Sequence, residues 1–164
     1  MSYGIDIEID KLVTKFTSKL WPTKTVTWNG RVYRNNRDDG VIPEIYNSTK
    51  KRYFDVLLDR KLDALCFFDI GDEIDMLGGP SVNVDICFAV NLEAIYSTVE
   101  RLDERAHQET WELINLTNFT TNRIIVGAEA FAGYKQNKPE NDMAPYHLFK
   151  FETTLTFNYN NCNI

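Results

Sequence analysis

Eleven residues in the middle of the chain, Val82-Asn-Val-Asp-Ile-Cys-Phe-Ala-Val-Asn-Leu92, constrain the fold more than any other stretch. Val82, Val84, Ile86, Phe88 and Val90 share one parity, and Asn83, Asp85, Cys87, Ala89 and Asn91 the other. Successive side chains of a strand point to opposite faces, so the alternation predicts one apolar face and one smaller, more polar face. The longest helical pattern follows at once: Leu92, Ile95, Val99, Leu102, Ala106, Thr110 and Leu113. A central strand launching a helix that backs its own sheet is the expected frame.

The flanking segments supply partners. Ile5, Ile9, Leu12, Val13, Phe16 and Leu20 form a stripe at helical spacing with Pro22 just beyond, predicting an amphipathic helix over about 4–20. Asn29-Gly30 lies between β-formers in Thr25–Arg34, and both positions of a type I′ turn need positive φ. A hairpin placing Trp28 beside Arg31 is therefore expected. Asn35–Gly40 reads as an exposed loop, and Val41–Tyr46 as an extended piece that Pro43 marks as edge or irregular. Tyr53–Leu58 and Leu62–Ile70 read as two strands joined by Asp59-Arg60-Lys61, and Asp69–Pro80 as an acidic, then glycine-rich connection. Ser97-Thr-Val-Glu100 fits a capping box, separating a short turn from a main helix over about 98–115. Arg123–Val126 is a short strand, Ala128–Tyr134 one or two helical turns, and Tyr134–Pro145 a projecting loop. In Tyr146–Tyr159, Phe149, Phe151, Leu155, Phe157 and Tyr159 alternate with polar residues, as in a strand with one buried and one wet face. The sum is a single α+β domain over 1–164, a mainly antiparallel sheet packed against an N-terminal helix and the long helix after the central strand.

Composition limits function. With 43% hydrophobic and 13% aromatic residues, the 164-residue chain can build a real core. A net charge of −6 disfavours nucleic-acid binding driven by phosphate contacts, though not a local basic patch. No apolar run approaches the roughly 20 residues of a membrane span. The acidic N-terminus lacks the pattern of a signal peptide. The odd, widely spaced Cys66, Cys87 and Cys162 fit reduced thiols in a cytoplasmic setting, so the Asn-x-Ser/Thr triplets at Asn47, Asn115 and Asn118 are expected to be chance matches.

Catalysis finds nothing specific to stand on. His107 and His147 lack nearby metal-ligand spacing and read as ordinary surface or partly buried residues. Asp69-Ile-Gly-Asp-Glu-Ile-Asp75 concentrates four carboxylates without the EF-hand order, so it reads as a solvated acidic loop. Arg31, Arg34 and Arg37 with Lys50-Lys51-Arg52 form a solvated or protein-facing basic patch. Gly78-Gly79-Pro80 is no phosphate loop, and no serine or cysteine nucleophile signature occurs. No cofactor or metal is expected.

The order of parts resembles a known class. It runs from the N-terminal helix through Leu65-Cys-Phe-Phe-Asp69 to Val90-Asn-Leu-Glu-Ala-Ile-Tyr96. It continues through Arg101-Leu-Asp-Glu-Arg-Ala-His107 and closes on Pro145-Tyr-His-Leu-Phe-Lys-Phe-Glu-Thr-Thr-Leu-Thr-Phe157. Over nearly its full length the chain resembles the tail-terminator and neck (head-tail joining) proteins of tailed bacteriophages, most closely those of crAss-like phages of Bacteroides-type hosts. The resemblance implies a structural, non-enzymatic virion subunit, assembled in host cytoplasm into a ring at the head–tail junction. The ring is commonly a hexamer, with a dodecamer as the alternative. Its partners are copies of itself, the tail tube and connector or portal-proximal proteins, while DNA passes through the lumen unbound. Such subunits meet through sheet edges, helix and extended loops, which maps here to 34–46, 72–81 and 134–145. The contact residues implied are Arg34, Arg37 and Asp38 in the first segment, and Asp72, Glu73 and Asp75 in the second. In the third they are Lys135, Lys138, Glu140 and Asp142. Two other readings stand beside it: a small ligand-binding or enzymatic α+β domain, and a nucleic-acid-associated factor using Arg31–Arg37 and Lys50–Arg52.

Overall fold

The computed structural model describes residues 4–57, 61–97, 100–135 and 145–159. Helix α1 (Ile5–Lys19) is followed by β1 (Val26–Arg31), β2 (Tyr33–Arg37), β3 (Gly40–Asn47), β4 (Arg52–Asp55), β5 (Ala64–Asp75) and β6 (Ser81–Val90). Then come α2 (Leu92–Ile95), α3 (Leu102–Ile114), β7 (Phe119–Val126), a 3-10 turn (Ala128–Phe131) and β8 (His147–Thr156). Five strands form the main sheet in the order β1-β5-β6-β8-β7, and β2-β3-β4 form a second, antiparallel sheet. The fold is the α+β arrangement expected, with β6 in the centre of the main sheet.

The parity of β6 becomes the core. Val82, Val84, Ile86, Phe88 and Val90 are buried in one cluster with Ile9, Leu12 and Phe16 of α1, Ala106 and Ile114 of α3, and Phe149, Phe151 and Leu155 of β8. The opposite face is drier than its sequence implied. Cys87 and Ala89 join Leu65, Phe67, Phe131 and Leu148 in a second cluster, against which Ile45 and Val56 of the small sheet also pack. The molecule is thus layered as helices, main sheet and small sheet. Cys66 and Cys87 sit on neighbouring strands with opposite parity, one in each cluster, and both thiols are free.

Several local expectations are corrected. Asn29-Gly30 forms no turn: β1 runs through it, pairing in parallel with β5, with a register shift between Trp28 and Arg31. A Cβ on Gly30 would meet Ile9 Cγ2 of α1 at 4.0 Å, an ordinary contact, so the position lies under α1 without requiring glycine. Trp28 instead stacks on Phe16 (5.3 Å) and Trp21 (6.0 Å). The hairpin lies in the stretch expected to be a loop. Arg37 pairs with Gly40 across Asp38-Asp39, and Gly40 takes φ 137°, open to glycine alone. Pro43 is in the central strand of the small sheet, not at its edge. It supplies a carbonyl to Val56 N–H (3.0 Å), while the β3–β4 ladder begins only at Glu44, so its missing N–H leaves no gap in that ladder. β4 pairs with β3 and not with β5. The main helix starts at Leu102, not 98, behind a left-handed Arg101 with no side-chain cap, so Ser97 is not its cap. Asn91 caps α2 instead, accepting from Ala94 N–H (3.3 Å).

The acidic run is also strand rather than connection. β5 continues through Asp69–Asp75, paired with β6 on one side. β1 accompanies it only as far as Phe68, so among the described residues no strand covers the outer edge of Asp69–Asp75.

Candidate functional site

One buried carboxylate holds the two sheets together. Asp69, 4% exposed, accepts from Arg34 Nε of β2 at 2.6 Å and from the Tyr134 hydroxyl. The carboxylate raises the Arg34 pKa, while burial is the largest of the effects that push the Tyr134 hydroxyl far up, keeping it a neutral donor. Tyr134 packs edge-on against Phe67 and Phe131. Its neighbours close a parallel bridge to β3, with Lys135 N–H donating to Val41 O (2.8 Å) and Val41 N–H to Gly133 O (3.1 Å). Beyond this clamp opens a cleft of about 660 Å³, lined by Asp6, Asp10, Arg31, Arg34 and Asp72. Its walls are of mixed charge, and the Arg34–Asp69 pair on one of them joins a buried carboxylate to a partly exposed guanidinium.

The contact residues inferred from the resemblance fall in different settings. Arg34 pairs with buried Asp69 while its side chain stays 39% exposed. Arg37 and Asp38 are exposed at the β2–β3 turn, and Lys135 pairs with Asp39 (2.8 Å). Asp72, Glu73 and Asp75 are exposed on the uncovered half of β5. Lys138, Glu140 and Asp142 lie outside the described residues, as does most of the segment 134–145, whose first residue, Tyr134, is half-buried rather than projecting. The segment 34–46 is two paired strands, and in 72–81 only the turn between β5 and β6 is loop.

The exposed apolar groups were less visible in the sequence. At the β5–β6 turn, Ile74, Met76 and Leu77 face solvent, Leu77 at 89% exposure. Asp75 accepts from Leu77 N–H (2.9 Å) and Gly78 and Gly79 take φ 77° and 107°, so the turn is formed by local geometry and leaves the leucine outward. On the small sheet, Tyr33, Tyr46 and Tyr53 touch ring to ring at 5.4 and 5.2 Å, each between 47 and 59% exposed. The other face of that sheet meets β1 around a hollow of about 500 Å³ floored by Ile45, Phe54, Val56 and Leu62, all half-buried. Lys50 and Arg52 stand over the Phe54 ring at 5.3 and 4.5 Å. β7, an edge strand, exposes Ile124 and Val126.

No protein-family model, curated protein or solved structure matches the chain. What it does has to be read from these surfaces.

The two histidines, 40 residues apart, meet: His107 Nε2 of α3 lies 2.9 Å from His147 Nε2 of β8, both rings against Phe149. Their separation in sequence hid the pair. At that distance one ring must accept, so double protonation is opposed. Burial, and for His107 also the charge of His147, lowers both pKa values, while Asp103 partly offsets this. Among the described residues no group of three His, Cys, Asp or Glu could hold a metal ion. No described helix is long and apolar enough to cross a membrane. The pH consequence has a definite sign. The unfolded chain takes up protons near pH 6.5 and the folded pair refuses them, so stability is full above that pH and falls as pH drops below it. The slope is at most about 1.4 kcal/mol per pH unit per refused proton, reduced by water at these half-exposed rings. Urea melts between pH 7.5 and 5 should show the decline, and His147→Gln should flatten it.

Proposed function

We propose that this chain is a structural subunit without catalytic activity, which associates with copies of itself into a ring. Following its resemblance to tail-terminator and neck proteins, we place that ring at the head–tail junction of a tailed-phage virion. The observation that supports the reading is the distribution of exposed apolar groups. They lie on separate surfaces, among them the β5–β6 tip, the tyrosine face, the hollow beneath the small sheet, the β7 edge, and Trp111 and Leu116 at the end of α3. A subunit meeting neighbours on two sides, and further proteins above and below, needs several unlike contact surfaces, and unlike surfaces generate rings when the rotation closes. Net charge −6 suits a ring through which a polyanion moves without sticking. Native mass spectrometry of the purified chain, alone and with candidate tail-tube and connector proteins, tests it. A closed multimer, commonly six copies, is expected. A chain that stays monomeric with those partners present overturns it.

A further inference from the structure

The tip of the β5–β6 turn and the hollow under the small sheet are complementary in shape, polarity and charge. The tip offers Met76 and Leu77 as an apolar knob, and a Cβ on Gly78 or Gly79 would find nothing within 4 Å, so the turn stands free. Behind the knob, Asp72, Glu73 and Asp75 make no ion pair among the described residues. The hollow has an apolar floor of Ile45, Phe54, Val56 and Leu62, and a volume of about 500 Å³ that accommodates two aliphatic side chains. Lys50 lines the hollow and Arg52 stands beside it over the Phe54 ring, neither in an ion pair among the described residues, against one lining carboxylate, Asp55. The charge pattern of the whole chain repeats this. Residues 31–55 hold six Lys or Arg against four Asp or Glu in a chain of net charge −6, whereas 69–85 hold five Asp or Glu and no Lys or Arg.

A knob cannot reach the hollow of its own molecule. The hollow abuts Thr27 of β1 and Leu62, beside the start of β5, while the knob follows the strand's end. β5 pairs with β6 from Ala64 opposite Val90 to Asp75 opposite Ser81, nine steps along β6, so the two lie roughly 30 Å apart, at about 3.3 Å per residue. Unlike surfaces at opposite ends of one rigid strand fit a head-to-tail contact between copies.

We infer that the Met76-Leu77 tip of one copy inserts into the Ile45/Phe54/Val56/Leu62 hollow of the next, with Asp72, Glu73 and Asp75 facing Lys50 and Arg52. This rests on the ring reading above and names its subunit contact. The apolar insertion excludes water and the charges set the direction, so that tip does not pair with tip.

Two variants on exposed side chains test it without touching the core: Leu77→Asp, and the double reversal Lys50→Glu with Arg52→Glu. Each should weaken self-association at least ten-fold by mass photometry and analytical ultracentrifugation, with unchanged circular dichroism. Mixed, they should form a 1:1 heterodimer and nothing larger, because one retains the hollow and the other the tip. Such a pair recovers a single interface only if the two surfaces meet each other. A wild-type multimer that Leu77→Asp leaves intact overturns the contact while the ring reading survives. A wild-type chain that is monomeric with its partners present removes both. Binding of a labelled DNA oligonucleotide, lost in the Lys50→Glu/Arg52→Glu variant while the multimer persists, would assign the rim to nucleic acid and overturn the contact.

Discussion

Phe88→Ala is expected to lower folding stability by about 3–5 kcal/mol, the largest effect of any single substitution considered. Phe88 is fully buried in the second half of β6, where α1 and β8 converge on its ring. It stacks on Phe149 of β8 (5.0 Å, 12° between planes) and meets Phe16 of α1 edge-on (5.7 Å) and Phe151 edge-on (6.2 Å). Truncation forfeits the burial of an aromatic ring and leaves a cavity that the β6 ladders on both sides prevent from collapsing. Natural domains hold only about 5–15 kcal/mol in total, so the loss threatens the fold itself. At about 2–4 °C per kcal/mol for a chain of this size, the melting temperature should fall by roughly 10 °C. Phe88→Leu keeps most of the volume and should cost about 1–2 kcal/mol. Paired urea and thermal melts of the two variants separate the cavity contribution from the loss of ring geometry.

That prediction could have been drawn from the sequence, because β6 announces its buried face by strict alternation. The same holds for α1 and β8, whose stripes of Ile9, Leu12 and Phe16 and of Phe149, Phe151 and Leu155 are the core observed. Period alone decides such elements, since each has one wet side and one dry side. β2 escaped for the opposite reason: Tyr-Arg-Asn-Asn-Arg has no apolar partner parity, and only the Asp-Asp-Gly turn behind it betrays a hairpin. Asn29-Gly30 misled because its local turn preference, worth little on its own, lost to parallel pairing with β5, a partner more than 30 residues away.

The functional surfaces were legible only in part. The acidic run at Asp72–Asp75 and the Lys50–Arg52 cluster stand out in the sequence as charge. Their apolar companions did not, because Met76 and Leu77 look like ordinary loop residues until the turn is seen to leave them exposed. The hollow is assembled from β3, β4 and Leu62, residues that no spacing rule links. Tyr33, Tyr46 and Tyr53 likewise belong to three strands, and only register brings their rings together. Arg34 was legible as a cation but not as an internal one, since its partner Asp69 lies 35 residues on.

Asp69→Ala should cost about 2–3 kcal/mol and unfasten the small sheet before the main one. The substitution removes the acceptor of two groups at once: the Arg34 guanidinium and the Tyr134 hydroxyl. Breaking a fully buried ion pair costs about 3–5 kcal/mol, but Arg34 is 39% exposed and regains water, which brings the figure down. Asp69→Asn keeps an acceptor for Tyr134 and should lose about half as much. In the Asp69→Ala background, Tyr134→Phe should cost less than it does in the wild type, because its hydroxyl has already lost the carboxylate and keeps only the weak contact with Cys87 Sγ at 4.0 Å. The difference, a coupling of about 1 kcal/mol, is read by a double-mutant cycle in urea. Hydrogen exchange should lose protection first in β2 and β3, where Val41 N–H and its carbonyl are held by Gly133 and Lys135. β6 and β8, whose ladder runs unbroken from Ser81–Thr156 to Val90–His147, should stay protected. The same loosening would take the hollow apart while leaving the Leu77 tip in place. Asp69→Ala should therefore form no heterodimer with the Lys50→Glu/Arg52→Glu variant, since both keep only the tip, whereas it should pair with Leu77→Asp through its intact tip.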